Sequence, residues 1–258
     1  MKIIVTGGAG FIGSMVVRLA AEDAGKELWV IDKMTYAATR GSIRDALATG
    51  RVRLIEQDIC DHEKIVEAVA RIRPDVIMHL AAETHVDRSI SGPKAFVDTN
   101  VSGTFNLLDA SLRYWNTLAG AAREKFRFLH VSTDEVFGSL GPSGRFNEET
   151  PYDPSSPYSA SKAAADHLTR AWGRTYGLPV LISNCSNNYG PFQFPEKLIP
   201  LMILNAIHGV ELPVYGTGGQ VRDWLYVEDH ARALMAVIEQ GIPGRTYTVG
   251  GNSERTNL

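Results

Sequence analysis

Residues 1–13, Met-Lys-Ile-Ile-Val-Thr-Gly-Gly-Ala-Gly-Phe-Ile-Gly, run from an apolar strand into a glycine-rich turn and on into a helix. Ile3, Ile4 and Val5 are β-branched and uninterrupted by polar residues, the pattern of a strand buried on both faces of a parallel sheet. Gly7, Gly10 and Gly13 then allow a tight turn, a close approach of backbone to a pyrophosphate, and close packing of the helix on the strand. The free N–H groups at the helix start, with the positive end of its dipole, suit phosphates. Phe11, Ile12, Val16, Val17 and Leu19 give that helix an apolar face ending near Gly25, and a second strand, Leu28–Asp32, closes on an acid. A carboxylate there accepts both ribose hydroxyls of NAD and repels the 2′-phosphate of NADP, which argues against an ordinary βαβ turn without a ligand. The expected cofactor is NAD.

The rest of the chain extends that unit. A third strand is expected at Val52–Glu56, with Asp58 and Ile59 beyond its carboxyl end, then a helix capped by Asp61, carrying Ile65, Val66, Val69 and Ile72 at helical spacing and stopped by Pro74. A strand at Asp75–Leu80, a long helix from about Pro93 to Ala119, a strand at Phe126–Ser132, a Gly/Pro/Ser-rich loop through Pro157, a helix from Tyr158 to about Tyr176 and a strand at Val180–Ser183 follow. This alternation predicts an α/β fold with a Rossmann-type, doubly wound parallel sheet over residues 1–183. From 184 to 258 the texture turns polar and turn-rich, with helices at about Glu196–His208 and after Val227. This reads as a small, incomplete substrate lobe partly interleaved with the sheet, or as plain surface loops.

Composition narrows the function classes. A chain of 258 residues, 44% hydrophobic and 21% charged with a net charge of −3, has no basic footprint for nucleic acid. No apolar run reaches the length of a membrane span, and the first strand breaks into glycines too soon for a signal peptide, so a cytoplasmic protein is expected. Cys60 and Cys185 lie in different βα units without ligand spacing, which predicts free buried thiols. His79, His85 and His130 lack a carboxylate cluster, so packing or hydrogen bonding is expected of them and no metal.

Tyr158 and Lys162 are four apart at the start of a helix and so share one face. An ammonium beside a phenol, together with a positive nicotinamide, favours phenolate and would let Tyr158 take a hydroxyl proton as hydride leaves the same carbon. Ser132-Thr133-Asp134-Glu135 falls at the carboxyl end of a strand, where a site is expected in this architecture; a solvated acidic pair or a helix cap is the alternative.

Thr6–Gly13, Tyr158-Ser-Ala-Ser-Lys162, Ser132–Gly138, His79–Arg88 and Arg222–His230 together resemble the extended short-chain dehydrogenase/reductases, and among these the dTDP-glucose 4,6-dehydratase branch. The resemblance spans almost the whole chain. Its most specific element is Thr133-Asp134-Glu135, where 4-epimerases of the family resemble Ser-Ser-Ala and decarboxylases Ser-Thr-Ser-Glu. Phe137 stands where tyrosine is usual.

The resemblance implies NAD-dependent oxidation of dTDP-glucose at C4, removal of the C5 hydrogen by Glu135, protonation of the departing 6-hydroxyl by Asp134, and return of hydride to C6. Thr133 would hydrogen-bond the sugar beside Tyr158. Asp134 must then stay protonated near neutral pH. By the same resemblance Phe11 and Ile12 meet the pyrophosphate, Asp32, Lys33, Met34 and Thr35 the adenosine ribose, and Asp58 and Ile59 the adenine. Leu80, Ala81, Ala82, Glu83, Thr84, Thr99, Tyr158, Lys162 and Asn187 line the rest of the NAD path. Thr84, Thr133, Asn188, Lys197, Leu198, Pro213, Val214, Tyr215, Arg222 and Asn257 would hold the nucleotide sugar, Arg222 as a guanidinium for the diphosphate. A homodimer through the helices at about 93–119 and 158–176 is implied as well. Family members continue past Leu258, where Ser253-Glu-Arg-Thr looks like the opening of another helix, so a truncated chain is expected. Another NAD-dependent sugar-nucleotide enzyme, such as a 4-epimerase or decarboxylase, and a catalytically impaired NAD-binding fragment remain alternatives.

Overall fold

In the computed structural model, which describes residues 1–141, 143–214, 216 and 218–257, the glycine turn joins β1 (Lys2–Thr6) to α1 (Phe11–Ala21), and β2 (Glu27–Asp32) follows. The chain continues through α2 (Arg44–Ala48), β3 (Val52–Glu56), α3 (His62–Ile72), β4 (Val76–His79), α4 (Val86–Ser91), α5 (Pro93–Phe96), α6 (Thr104–Trp115), α7 (Gly120–Lys125) and β5 (Arg127–Thr133). After β5 come a short 3-10 turn (Asp134–Phe137), α8 (Pro157–Tyr176), β6 (Val180–Cys185), β7 (Asn187–Tyr189), α9 (Leu198–His208), β8 (Val221–Tyr226), α10 (Val227–Gln240), β9 (Thr246–Val249) and β10 (Glu254–Thr256).

Seven parallel strands form the main sheet in the order β3-β2-β1-β4-β5-β6-β9, the Rossmann-type doubly wound topology. Ile3, Ile4 and Val5 are fully buried, as their unbroken apolar run requires. One face packs Val16 and Val17 of α1 and Leu234 of α10; the other packs Ile65 and Val69 of α3 and Leu107 and Leu108 of α6. Each such side chain contributes roughly 1.5–3 kcal/mol on burial. β7, β8 and β10 make a small second sheet. The lobe after residue 183 is thus split: β9 and α10 return to the large sheet, while β7, β8 and β10 stand apart from it.

Several local expectations need correction. The helix expected over about 93–119 is α5, then a π-helical segment at Val97–Gly103, then α6, and it ends at Trp115, where Thr117 and Leu118 turn the chain. The first helix ends at Ala21, short of Gly25. α2, α4 and α7 are helices of five or six residues, too short to show a period. The residues expected to open a helix at Ser253 instead form β10, antiparallel to β8: Asp223 accepts from the Gly251 and Ser253 N–H groups and folds this segment back. Cys185 is buried, but Cys60 is exposed in the turn after β3, its thiol donating to the Asp98 carbonyl.

Candidate active site

The carboxyl ends of β1, β4, β5 and β6 open on one cleft of about 300 Å³, where the strand order reverses between β1 and β4. Its floor is the glycine turn. Gly7 has φ +69° and its Cα lies against the Ala81 backbone, so that a methyl group there would sit 2.7 Å from it; at Gly13 a methyl group would sit 2.2 Å from the Gly7 carbonyl. α1 starts at Gly10 without a side-chain cap, so its first N–H groups face the cleft as donors. Asp32 closes this end: Oδ2 accepts from Ala9 N at 3.0 Å and Oδ1 from Met34 N at 2.9 Å. These two bonds fix the carboxylate, oppose the burial that raises its pKa, and leave lone pairs for hydroxyls. Glycine backbone, helix start and oriented carboxylate fit the pyrophosphate and ribose of NAD.

Gly7, Gly10, Phe11, Ile12, Gly13, Asp32, Lys33, Thr35, Asp58, Ile59, Leu80, Ala81, Ala82, Glu83, Thr84, Thr99, Tyr158, Lys162 and Asn187 all line this cleft. Met34 does not; its side chain packs against the core and only its N–H addresses Asp32. His79 spans the sheet beneath, hydrogen-bonded to Thr6 Oγ1 at 2.8 Å and Thr104 Oγ1 at 2.9 Å.

Ser156 and Ser159 form a reciprocal capping box at the start of α8, with Pro157 in the first turn, and this places Tyr158 and Lys162 on the face covering β5. Both side chains are buried. Lys162 Nζ donates to the Val131 carbonyl at 2.9 Å, and burial pushes its pKa down to about 8, with Asp166 pulling the other way. The phenol differs from expectation. Burial holds the Tyr158 pKa well above its ordinary value, the Glu135 carboxylate adds to that, and the Thr133 hydroxyl opposes it. Burial outweighs the nearby Lys162 ammonium, so the protein alone does not make Tyr158 acidic.

Beyond the end of β5, Thr133 Oγ1 accepts from Glu135 N at 3.2 Å and donates to Asp134 Oδ1 at 3.3 Å. Thr133 and Glu135 line the cleft; Asp134, between them in the chain, is not among its lining residues. Burial, and then the neighbouring Glu135 charge, raise Asp134 to about 7. Burial also raises Glu135, but Arg222 and Lys197 counter it. Two adjacent carboxyls are thereby separated into a group that keeps its proton and one that releases it more readily.

On the opposite wall, Lys197 Nζ donates to the Thr84 carbonyl at 2.9 Å, and Asn188 lines the cleft. Arg222 lies just outside, donating to Asn187 Oδ1 at 3.3 Å. Leu198 opens α9, Pro213 and Val214 are solvent-exposed, and Asn257 donates its N–H to the Gln220 carbonyl; none of the three segments lines the cleft. Tyr215 lies outside the described residues. Sequence reasoning missed Glu196, which takes a hydrogen bond from Tyr36 and an ion pair from Arg88 at 3.2 Å across the cleft mouth, and Ser186, Gln193 and Phe194 beside it. Only the position of Glu196 next to Lys197 hinted at it.

The family profile described as GDP-mannose 4,6 dehydratase matches residues 4–258. A dTDP-glucose 4,6-dehydratase of Neisseria gonorrhoeae is 58% identical over 258 residues, covering 100% of this chain and 75% of that protein. The chain belongs to the dTDP-glucose 4,6-dehydratase family. A crystal structure of the family enzyme from Bacillus anthracis in complex with NAD superposes with a TM-score of 0.89 at 43% identity, over 100% of this chain and 77% of that one. The family backbone is shared more widely: a UDP-glucose 4-epimerase from Thermotoga maritima, solved with UDP-glucose, gives a TM-score of 0.88 at 29% identity, over 100% and 79% of the two chains. Side chains, not topology, separate the dehydratase from its relatives.

Proposed function

We propose that this protein dehydrates dTDP-glucose to dTDP-4-keto-6-deoxyglucose, with the residues of the cleft in the following roles. The observation that carries the reading is the unequal pair at the end of β5: Asp134, held protonated up to about pH 7, beside Glu135, whose charge Arg222 and Lys197 favour. NAD, when bound, supplies the hydride acceptor for C4, a positive ring beside Tyr158, and the hydride returned to C6.

With the positive charge of bound NAD favouring its phenolate, Tyr158 would take the proton of the 4-hydroxyl, while Thr133 holds that hydroxyl in place. A ketone at C4 acidifies the hydrogen on C5. Glu135 removes that hydrogen as a proton, the C5 electron pair forms the C5–C6 double bond, and the C6–O bond breaks as Asp134 gives its proton to the departing oxygen, releasing water. Gly7, Gly10 and Gly13 with the start of α1, Asp32, and the Asp58–Ile59 and Leu80–Thr84 segments hold the cofactor. Thr84, Asn188, Lys197 and Arg222 hold the nucleotide sugar, and Leu198, Pro213, Val214, Tyr215 and Asn257 belong to its outer rim. An epimerase has no use for a protonated acid beside Glu135.

Phe105 on α6 and Val97 before it are exposed apolar residues, which supports pairing of two copies through α6 and α8. Among the described residues no helix is long and apolar enough to cross a membrane, and we assign the protein to the cytoplasm. The test is Glu135→Gln: oxidation at C4 proceeds and reduced cofactor accumulates on the enzyme, while water loss slows by about two to four orders of magnitude. Wild-type turnover by this variant would overturn the assignment.

A further inference from the structure

Behind Lys162 lies a chain of buried polar groups that the dehydration scheme does not use. His130 on β5 and Asp166 on α8 are both fully buried. His130 Nε2 lies 3.5 Å from Lys162 Nζ and 3.1 Å from Asp166 Oδ1. The two Asp166 oxygens have different surroundings. Oδ2 accepts from the Tyr152 hydroxyl at 2.7 Å and from Asn184 Nδ2 at 3.2 Å, and Arg170 Nη2 in turn donates to the Tyr152 oxygen at 2.6 Å. Oδ1 faces the His130 Nε2 at 3.1 Å, on the side of Lys162.

We propose that Asp166 is the buried counter-ion of Lys162, acting at the Nε2 edge of His130 that both side chains face, to keep the lysine an ammonium inside a dry pocket, and is therefore a positioning residue for the reaction. The proposal rests on the reading above only for its consequence, the working state of Lys162; the charge relation itself stands on the geometry. The other ionisable groups that face Lys162 do not fill this role. On α8, Tyr158 is held neutral by burial. On β6, burial raises Cys185 to about 12, so its thiol is uncharged. On β5 and β4, burial and the Lys162 charge itself keep His130, at about 4, and His79 neutral. Past β5, Glu135 and Asp134 lie beyond the phenol. Asp166 is held below the ordinary carboxylate range, chiefly by His130 once burial is overcome, and among the described residues it is the one anion within this wall.

The test titrates Lys162 directly, by NMR of the holoenzyme carrying 13C-labelled lysine side chains, with the Lys162 signal assigned by its loss in Lys162→Met. Wild type should titrate near 8, and Asp166→Asn should titrate about one to three pH units lower. The alkaline limb of the activity profile should move down with it, because the ammonium is then lost at lower pH. Tyr152→Phe breaks the same network without removing the charge, so Lys162 there should titrate at or above the wild-type value. An unshifted Lys162 in folded Asp166→Asn, or a downward shift in Tyr152→Phe, overturns the proposal. A shifted Lys162 with an unmoved activity profile would leave the counter-ion standing and refute the role given to Lys162 in the reaction.

Discussion

Asp134 and Glu135 are neighbours in sequence, yet the first is raised to about 7 by burial and by the charge of the second, while the second, also raised by burial, is pulled back by Arg222 and Lys197. Elimination of water needs that asymmetry, one group to donate a proton and one to accept it.

The Asp134 proton has a cost that can be measured. The folded protein keeps this proton to about pH 7, whereas the unfolded chain releases it near pH 4. A raised carboxyl pKa means that the stability present below the unfolded value is lost as pH rises through the folded one. Asp134→Asn should therefore melt a few degrees higher than wild type above pH 7 and equal to it near pH 4. The same variant should lose about two to four orders of magnitude in water elimination while still oxidising C4. Scanning calorimetry across pH, with absorbance of the reduced cofactor, checks both; equal melting at alkaline pH would show that the fold does not raise the Asp134 pKa.

Tyr158→Phe should abolish reduction of the bound cofactor by substrate, because no other group within the described cleft is placed to take the 4-hydroxyl proton. Lys162→Met should weaken NAD binding and leave the Val131 carbonyl, now its partner at 2.9 Å, without a donor. Stopped-flow absorbance and calorimetric titration separate the two effects, and full reduction in Tyr158→Phe would contradict the first.

Gly13→Ala should fold poorly or lose NAD binding, since the added methyl would meet the Gly7 carbonyl at 2.2 Å. Alanine at Gly50, which has φ +72° but open space around it, strains only the local backbone and should leave NAD affinity unchanged. Tight NAD binding by Gly13→Ala would show that the glycine turn can yield.

Much of this was legible because a few residues answer to short-range rules. The unbroken Ile3-Ile4-Val5 run, the glycine spacing and Asp32 fix a strand, a turn and an acceptor without reference to distant residues, and the four-residue spacing of Tyr158 and Lys162 places them on one helix face. The π-helical turn at Val97–Gly103 was not legible, since side-chain pattern does not tell a wider backbone turn from an ordinary helical one. Nor was β10: Glu254–Thr256 is a strand because Asp223, about thirty residues away, anchors the turn before it. Glu196 and the His130–Asp166 pair escaped for a related reason. Their partners come from other elements, and single charged or aromatic residues carry no period that would announce such contacts.

The central claim is loss of one water from dTDP-glucose with proton removal at C5, and mass spectrometry of the nucleotide sugar after incubation with the NAD-loaded protein in heavy water tests it most directly. The account predicts a product lighter by one water, with a solvent deuteron at C5 put there by Glu135. A product of unchanged mass, with inverted configuration at C4 and no deuterium, would contradict it.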